Sequence, residues 1–167
     1  AIAVSKGPGS FTGLRIGVSA AKGLSFSLDI PLISVSTLTS LAYTIKVKEG
    51  EVIIPLLDAR RMEVYSAIYD QGYDQIRKIE AEIIDKNSFE DFLNKGRVHF
   101  LGDGADKCKD ILNHQNAIFH DNYFPSAKEM AKISFQKFKK NDFEDVAYFE
   151  PFYLKDFLIT KSKKKLF

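Results

Sequence analysis

The sequence predicts an α/β protein, and three observations support that prediction. In the first fifty residues, apolar runs and amphipathic stretches alternate in the order strand, helix, strand, helix. This order is typical of parallel strands joined by a right-handed crossover. After residue 50, further apolar and β-branched runs recur with polar turns between them, which favours a second sheet. With 167 residues and 45% hydrophobic content, the chain can bury a core.

Composition restricts the function classes. The formal net charge of +2 is too small to indicate nucleic-acid binding by itself. The single cysteine, Cys108, excludes an internal disulfide and fits a reducing compartment, so we expect a cytoplasmic protein with Cys108 as a small buried hydrophobe. No run approaches the roughly 20 apolar residues of a membrane span, and no signal peptide is visible. We therefore expect no membrane partner.

The first strand, at residues 1–4, leads into a glycine-rich turn. Gly7 and Gly9 flank a proline there, so we expect a sharp turn that can hold positive φ at either glycine. Ser10 or Thr12 is the predicted N-cap of the helix that follows. Such a turn can hold a phosphate, which makes Gly7, Gly9 and Ser10 candidate phosphate contacts. The glycine spacing matches neither the P-loop nor the dinucleotide-binding motif. The alternative interpretation is a turn without ligand, next to a closely packed helix.

The predicted helix at residues 14–28 carries rows of small side chains. Gly13, Gly17 and Ala21 recur at four-residue steps, which leaves one face almost bare backbone. A second, mostly small row beside it consists of Ile16, Ala20, Gly23 and Ser27. A glycine inside a helix costs about 1 kcal/mol relative to alanine, so a closely packed neighbour should compensate. That neighbour is either another element of this chain or a partner subunit.

A polar break at residues 46–50 is the predicted lobe boundary, with a first lobe at 1–49 and a second at 50–167. Before the break, a strand at 31–35 precedes a helix that Ser36 caps. One apolar stripe of that helix consists of Leu38, Leu41, Ala42 and Ile45.

After the break, residues 58–62 are expected to close a hairpin. The predicted elements are strands at 52–57, 63–69 and 75–84, a short helix from 88, a strand at 98–101, a helix at 105–112, a strand at 117–120 and a helix from 126 to about 141. We expect the apolar segment 146–157 to pack back on the first lobe, and the lysines at 161–165 to form a solvated tail.

Two short segments of the second lobe are further candidate nucleotide or phosphate contacts. Asp58 ends an apolar strand and Arg60 follows it, so the carboxylate could hold magnesium or a water while the guanidinium binds an anion. The alternative is a turn aspartate that bonds its own backbone. Gly102 and Gly104 follow another strand, where a tight strand-to-helix turn is the equally good alternative.

The histidines do not indicate a metal site. His99, His114 and His120 lack the spacing of a helical metal motif, and His99 is interpreted as a core residue. No Ser/His/Asp set, paired carboxylates or activated cysteine can be assembled from the visible motifs. We therefore expect neither a metal nor a catalytic residue.

Several segments together resemble the bacterial TsaB (YeaZ) family. The most specific is KGPGSFTGLRIG at 6–17. The others are AKGL at 21–24, IPL at 30–32, SVSTL at 34–38, LDARRMEVY at 57–65, GDGA at 102–105 and PFYLK at 151–155. The resemblance covers nearly the whole chain and implies an actin-like (ASKHA, ribonuclease H-like) two-lobe fold. Family members begin with a strand-rich segment before this point, so it also implies that the N-terminal strands of the first lobe are missing here.

The resemblance implies a non-catalytic scaffold that binds TsaD and supports threonylcarbamoyl transfer to adenosine next to the tRNA anticodon. Helices 12–28 and 36–46 would form the interface with TsaD or with a second copy of the chain. The expected interface residues are Gly13, Leu14, Gly17, Val18, Ala21, Leu38, Leu41, Ala42 and Ile45. A TsaE-like ATPase and tRNA are the further implied partners. No cofactor is expected on this chain alone, with ATP or ADP and magnesium at the interface of the complex.

Two other functions stay open. A self-sufficient actin-like ATPase or sugar-kinase-type phosphotransferase would use the Gly7–Gly13 turn, Asp58 and the Gly102–Gly104 turn. It predicts magnesium-dependent nucleotide turnover, but the catalytic carboxylate and the phosphate-binding hairpin are missing. A peptidase is disfavoured because the sequence has neither a metal motif nor a catalytic dyad.

Overall fold

A computed structural model describes residues 1–154 of the chain. The predicted lysine tail and the end of the apolar closing segment lie outside these residues. The strands are β1 (Ile2–Gly7), β2 (Leu32–Ser36), β3 (Val52–Asp58), β4 (Glu63–Tyr69), β5 (Gln75–Ile83), β6 (Val98–Leu101) and β7 (Ala117–His120). The helices are α1 (Phe11–Leu28), α2 (Thr37–Ala42), α3 (Glu90–Leu93) and α4 (Ala127–Lys139). None of the helices within 1–154 is long and apolar enough to cross a bilayer.

The strands form two sheets. A two-stranded sheet pairs β1 with β2 in parallel, and a five-stranded sheet has the order β5-β4-β3-β6-β7. In the larger sheet, β3, β4 and β5 are antiparallel neighbours, whereas β6 and β7 run parallel to β3. The predicted parallel pair and the predicted hairpin are therefore confirmed. In the hairpin turn, Arg60 and Arg61 both have positive φ, at 74° and 52°.

The core covers both faces of the larger sheet. Alternate residues of β3 point to opposite sides, so Ile54 and Leu56 join one cluster while Ile53 and Leu57 join another. The first cluster is closed by α3 and by the turn that carries Cys108. The second is closed by α2. Burial on both faces explains the continuous apolar run of this strand.

Two predicted helices are shorter than expected. In place of a helix at 105–112, Asp106–Cys108 form a 3-10 turn, and Cys108 and Leu112 are nevertheless buried in the core. α2 ends at Ala42 instead of near residue 46. There the Thr44 hydroxyl donates a 2.7 Å hydrogen bond to the Leu41 carbonyl, and this side-chain bond competes with helix continuation.

The last described segment returns to the first sheet. Ser126 is the N-cap of α4, as predicted, and accepts a 3.2 Å hydrogen bond from the Lys128 amide. α4 packs against β2 and α2. Beyond it, the Glu144 amide donates to the Leu32 carbonyl (2.8 Å). The segment therefore covers the edge of β2 that β1 leaves unpaired.

Candidate functional site

One side of α1 packs on the chain itself. Ser10 caps the helix by accepting a 3.3 Å hydrogen bond from the Gly13 amide, as the sequence predicts. Val18 and Ala21 are buried against the first sheet. Lys22 ties the helix to the closing segment, because its ammonium donates to the carbonyls of Ala147 (3.1 Å) and Phe149 (2.9 Å). These contacts fix which side of α1 faces outward.

The opposite side of α1 is apolar and open. Ile16, Leu24 and Leu28 expose 66%, 52% and 60% of their surface, and with Ala20 they form one ridge at four-residue steps. Small residues lie on and beside this ridge, and no atom of residues 1–154 outside the adjoining turns of α1 lies within 4 Å of where a Gly23 Cβ would be. We call this surface the outer face of α1, and it consists of Gly13, Ile16, Ala20, Gly23, Leu24 and Leu28. An apolar ridge flanked by small residues is suited to pack into the groove of another helix.

The row of Gly13, Gly17 and Ala21, which the sequence predicts as the bare face of the helix, is only partly exposed. Gly13 is exposed and Leu14 is half-buried. A Cβ on Gly17 would lie 4.0 Å from Val4 of β1, and Val18 and Ala21 are buried. Because the row turns toward the chain's own first sheet, the second row predicted from the sequence faces outward instead.

The α2 part of the expected interface is contradicted by burial. Leu38, Leu41 and Ala42 have no exposed surface, and Ile45 is 7% exposed. These side chains pack with residues of β3 and β4 in the second core cluster. The apolar stripe of α2 serves the core of this chain, so it is not available to a partner in this structure.

Asp58, Gly102 and Gly104 come together at the carboxyl ends of β3 and β6. Gly102 has φ +105°, and a Cβ there would lie 2.3 Å from the Leu56 carbonyl oxygen. The Gly104 amide donates to that same carbonyl (3.0 Å). Both glycines thus allow a close backbone crossing, which is the tight-turn alternative.

Asp58 is held by contacts within the chain. The Arg60 amide donates to its carboxylate at 2.9 Å, the predicted turn alternative, and the Lys107 ammonium pairs with the same oxygen. The hydrogen bond from Lys107 is the main reason that the pKa of Asp58 is lowered. Lys107 also donates to the carbonyls of Arg61 (2.8 Å) and Glu63 (2.7 Å). Sequence reasoning missed Lys107, since 49 residues separate it from Asp58.

Gly7, Gly9 and Ser10 form a separate turn. Gly7 has φ +108°, and a Cβ there would lie 2.9 Å from the Phe152 carbonyl oxygen. A cavity of about 40 Å³ lies beside the turn, and Tyr65 of β4 forms part of its wall. That volume accommodates water molecules rather than a nucleotide. Asp58 is not among the residues that line this cavity.

Two of the three histidines, His99 and His120, bond to each other, and His99 also bonds to Glu51. His99 is 9% exposed, which confirms its interpretation as a core residue. Its Nδ1 lies 2.9 Å from Nε2 of His120, and its Nε2 lies 3.1 Å from the Glu51 carboxylate. In the part of the chain that the structure describes, no three His, Cys, Asp or Glu side chains converge to hold a metal ion.

Cys108 is buried, as the sequence predicts. Burial raises the pKa of its thiol to about 11, and Sγ donates to the Gly104 carbonyl at 3.1 Å. A thiol with this pKa carries little thiolate at neutral pH, which makes it a poor nucleophile.

Several known proteins similar to this chain carry names from tRNA threonylcarbamoyladenosine biosynthesis. The family model described as TsaD: tRNA N6-adenosine threonylcarbamoyltransferase matches residues 1–162. The tRNA threonylcarbamoyladenosine biosynthesis protein TsaB of Escherichia coli is 31% identical over 166 residues, which span 93% of this chain and 71% of that protein. The TsaB protein of Bacillus subtilis is 53% identical over 68 residues, or 41% of this chain and 29% of that protein.

Solved structures show the same fold. A crystal structure from Pseudomonas aeruginosa, described as an uncharacterized protein with similarity to peptidase YEAZ, has a TM-score of 0.73 at 23% identity. It covers 92% of this chain and 73% of that one. YeaZ from Pseudomonas aeruginosa has a TM-score of 0.69, also at 23% identity, over 91% of this chain and 74% of that one. Together with the family-model match, these likenesses confirm the predicted actin-like α/β fold class.

Proposed function

Because the chain belongs to the TsaB (YeaZ) family, we propose that it acts in tRNA threonylcarbamoyladenosine biosynthesis as a non-catalytic scaffold subunit. It binds a TsaD-like catalytic subunit through the outer face of α1. In this way it supports threonylcarbamoyl transfer to adenosine next to the tRNA anticodon. The protein is cytoplasmic in this proposal.

The apolar ridge on α1 is the observation that carries the proposal. Fully burying one large aliphatic side chain contributes about 1.5–3 kcal/mol. Ile16, Leu24 and Leu28 together can therefore contribute several kcal/mol when a partner helix covers them. Gly13, Ala20 and Gly23 let the partner backbone approach closely.

The contacts of Asp58 support a non-catalytic role. Its carboxylate is already paired with Lys107 and with the Arg60 amide. Gly102 and Gly104 pack against β3. A self-sufficient phosphotransferase would need these groups to face a bound nucleotide, so no observation here favours that function.

The proposal includes further partners. A second copy of the chain docks on the same outer face when the TsaD-like subunit is absent. A TsaE-like ATPase and tRNA join through the complex. ATP or ADP with magnesium is bound at the interface of the complex rather than by this chain alone.

A charge-insertion experiment tests the docking proposal. In the double variant Ile16→Glu/Leu24→Glu, two carboxylates would have to be buried without partners at the interface. We expect the affinity for a TsaD-like subunit to fall at least about thirtyfold in calorimetry, because losing an interface hot spot costs about 2 kcal/mol or more.

Ile83→Glu is the matched control. Ile83 lies on β5, away from α1, and is 73% exposed. We expect this variant to bind like the original chain. Equal binding by the double variant and the original chain would contradict the proposal. Magnesium-dependent ATP hydrolysis by the chain alone would support the phosphotransferase instead.

A further inference from the structure

A cleft of about 370 Å³ lies between β2, β5 and α4, apart from the outer face of α1. Cavities of roughly 300–1,000 Å³ are the usual size of small-molecule sites. The cleft is also the larger of the two described cavities. Its size is sufficient for a small organic molecule.

Two lysines line this cleft, and none of the described lining residues is acidic. The Lys137 ammonium donates to the Ser34 carbonyl at 2.9 Å and pairs with Asp142 at 3.3 Å. Lys6 is half-buried, and no carboxylate among residues 1–154 lies within ion-pair distance of its ammonium. An ammonium with no counter-ion among residues 1–154 attracts an anion by its charge.

The remaining walls divide into polar and apolar parts. Thr39 and Gln75 line the polar part, where the Thr39 hydroxyl bonds to the Tyr69 hydroxyl and the Gln75 amide donates to the Arg77 carbonyl. Ile79, Ile133 and Phe152 form its apolar wall. A ligand that fits both parts has an anionic group and an apolar or aromatic body.

We propose that this cleft binds a small organic anion. Its phosphate or carboxylate group lies beside Lys6 and Lys137, and its body packs on Ile79, Ile133 and Phe152. The site is independent of the docking proposal, since it shares no residue with the outer face of α1.

Calorimetry on the whole chain, without any partner, tests the site. The probes are AMP, its neutral counterpart adenosine, 3-phenylpropionate and inorganic phosphate. We expect AMP or 3-phenylpropionate to bind at least about tenfold more tightly than adenosine, because hydrogen bonds to a charged group are the stronger ones. Which of the two anions binds more tightly distinguishes a phosphate site from a carboxylate site. Absence of binding by both, or equal binding by adenosine, would overturn the proposal.

Lysine variants locate the site. Lys6→Met should weaken anion binding about tenfold, whereas Lys6→Arg, which keeps the charge, should retain it. Lys78→Met is the matched control, since Lys78 is exposed on β5 beside Ile79 but does not line the cleft. Unchanged binding by Lys6→Met contradicts the proposal.

Methyl NMR tests the site on the original chain, so it does not require a variant to fold. The bound anion should shift the methyl signals of Ile79 and Ile133 but not that of Ile83. Shifts confined to other methyl groups would overturn the site. If the anion binds here and the TsaD-like subunit does not bind α1, only the docking proposal fails.

Discussion

α1 and α2 begin in the same way but end in opposite environments. Each follows a strand of the first sheet, and each is capped by a serine, Ser10 or Ser36. α2 lies between the two sheets, and its residues Leu38 and Leu41 are fully buried. α1 packs on the first sheet along one side only and exposes an apolar ridge on the other.

This difference shows that an apolar stripe on a helix does not by itself identify what covers the stripe. The stripe of α2 is covered by β3 and β4, which follow it in the chain. The outer face of α1 has no such cover among residues 1–154. Only the arrangement of layers distinguishes a core helix from a docking helix.

The largest difference in the free energy of unfolding is expected between alanine substitutions at two leucines. Leu41→Ala in α2 should lower the free energy of unfolding by about 2–5 kcal/mol, because it leaves a cavity in the core. Leu24→Ala in α1 should change it by less than about 0.5 kcal/mol, because Leu24 is exposed. Urea unfolding of both variants measures the difference. Equal losses would contradict the assignment of the two helices to different environments.

Alanine substitutions at two glycines should change the stability of the fold in opposite directions. A Cβ on Gly102 would lie 2.7 Å from Leu41 of α2 and 2.3 Å from the Leu56 carbonyl oxygen, at φ +105°. Gly102→Ala should therefore destabilise the fold by about 1–3 kcal/mol. Gly23→Ala, with open space at the Cβ position, should stabilise α1 by about 0.5–1 kcal/mol. Thermal unfolding of the two variants measures the signs, and a stabilised Gly102→Ala chain would refute the close approach.

The smallest expected effect is a pH dependence of the second sheet. Burial, with His99 beside it, lowers the pKa of His120, so the unfolded chain binds this proton more readily. A backbone hydrogen bond from Lys48 is the main cause that lowers the pKa of Glu51. Stability should thus be fully present above about pH 6.5 and fall as the pH drops. Because His120 is partly exposed, solvent screens its charge, and the loss between pH 7.5 and 5.5 should stay below about 1 kcal/mol.

Urea unfolding at the two pH values measures this dependence. His120→Gln should flatten it, because the titrating imidazole is gone. The outer face of α1 carries no titratable side chain, so docking affinity should vary less than stability over this range. If the pH dependence of stability is unchanged in His120→Gln, groups other than His120 cause it.

Local sequence signals predicted most of the fold. The sequence of strands and helices along the chain, the parallel β1–β2 pair, the hairpin at 58–62 and the caps at Ser10 and Ser126 are each predicted from signals within a few residues. Such signals depend on turn chemistry and apolar periodicity, which act over short distances along the chain.

Long-range contacts account for what sequence reasoning missed. The pairing of Asp58 with Lys107 joins residues that share no local pattern. The side on which α1 packs depends on Val4 and on the closing segment held by Lys22. The sequence does contain the residues of the exposed ridge, Ile16, Ala20, Leu24 and Leu28, at four-residue steps. The spacing alone, however, does not indicate which side of the helix packs on the protein and which side faces outward.

Hydroxyl-radical footprinting of the chain with and without a TsaD-like subunit tests the central claim most directly. Ile16 on α1 and Ile83 on β5 are the same residue type with similar exposure, 66% and 73%. If α1 is the docking surface, oxidation of Ile16 and Leu24 falls when the subunit is added while oxidation of Ile83 stays constant. Unchanged oxidation of Ile16 in a complex that demonstrably forms would contradict the account.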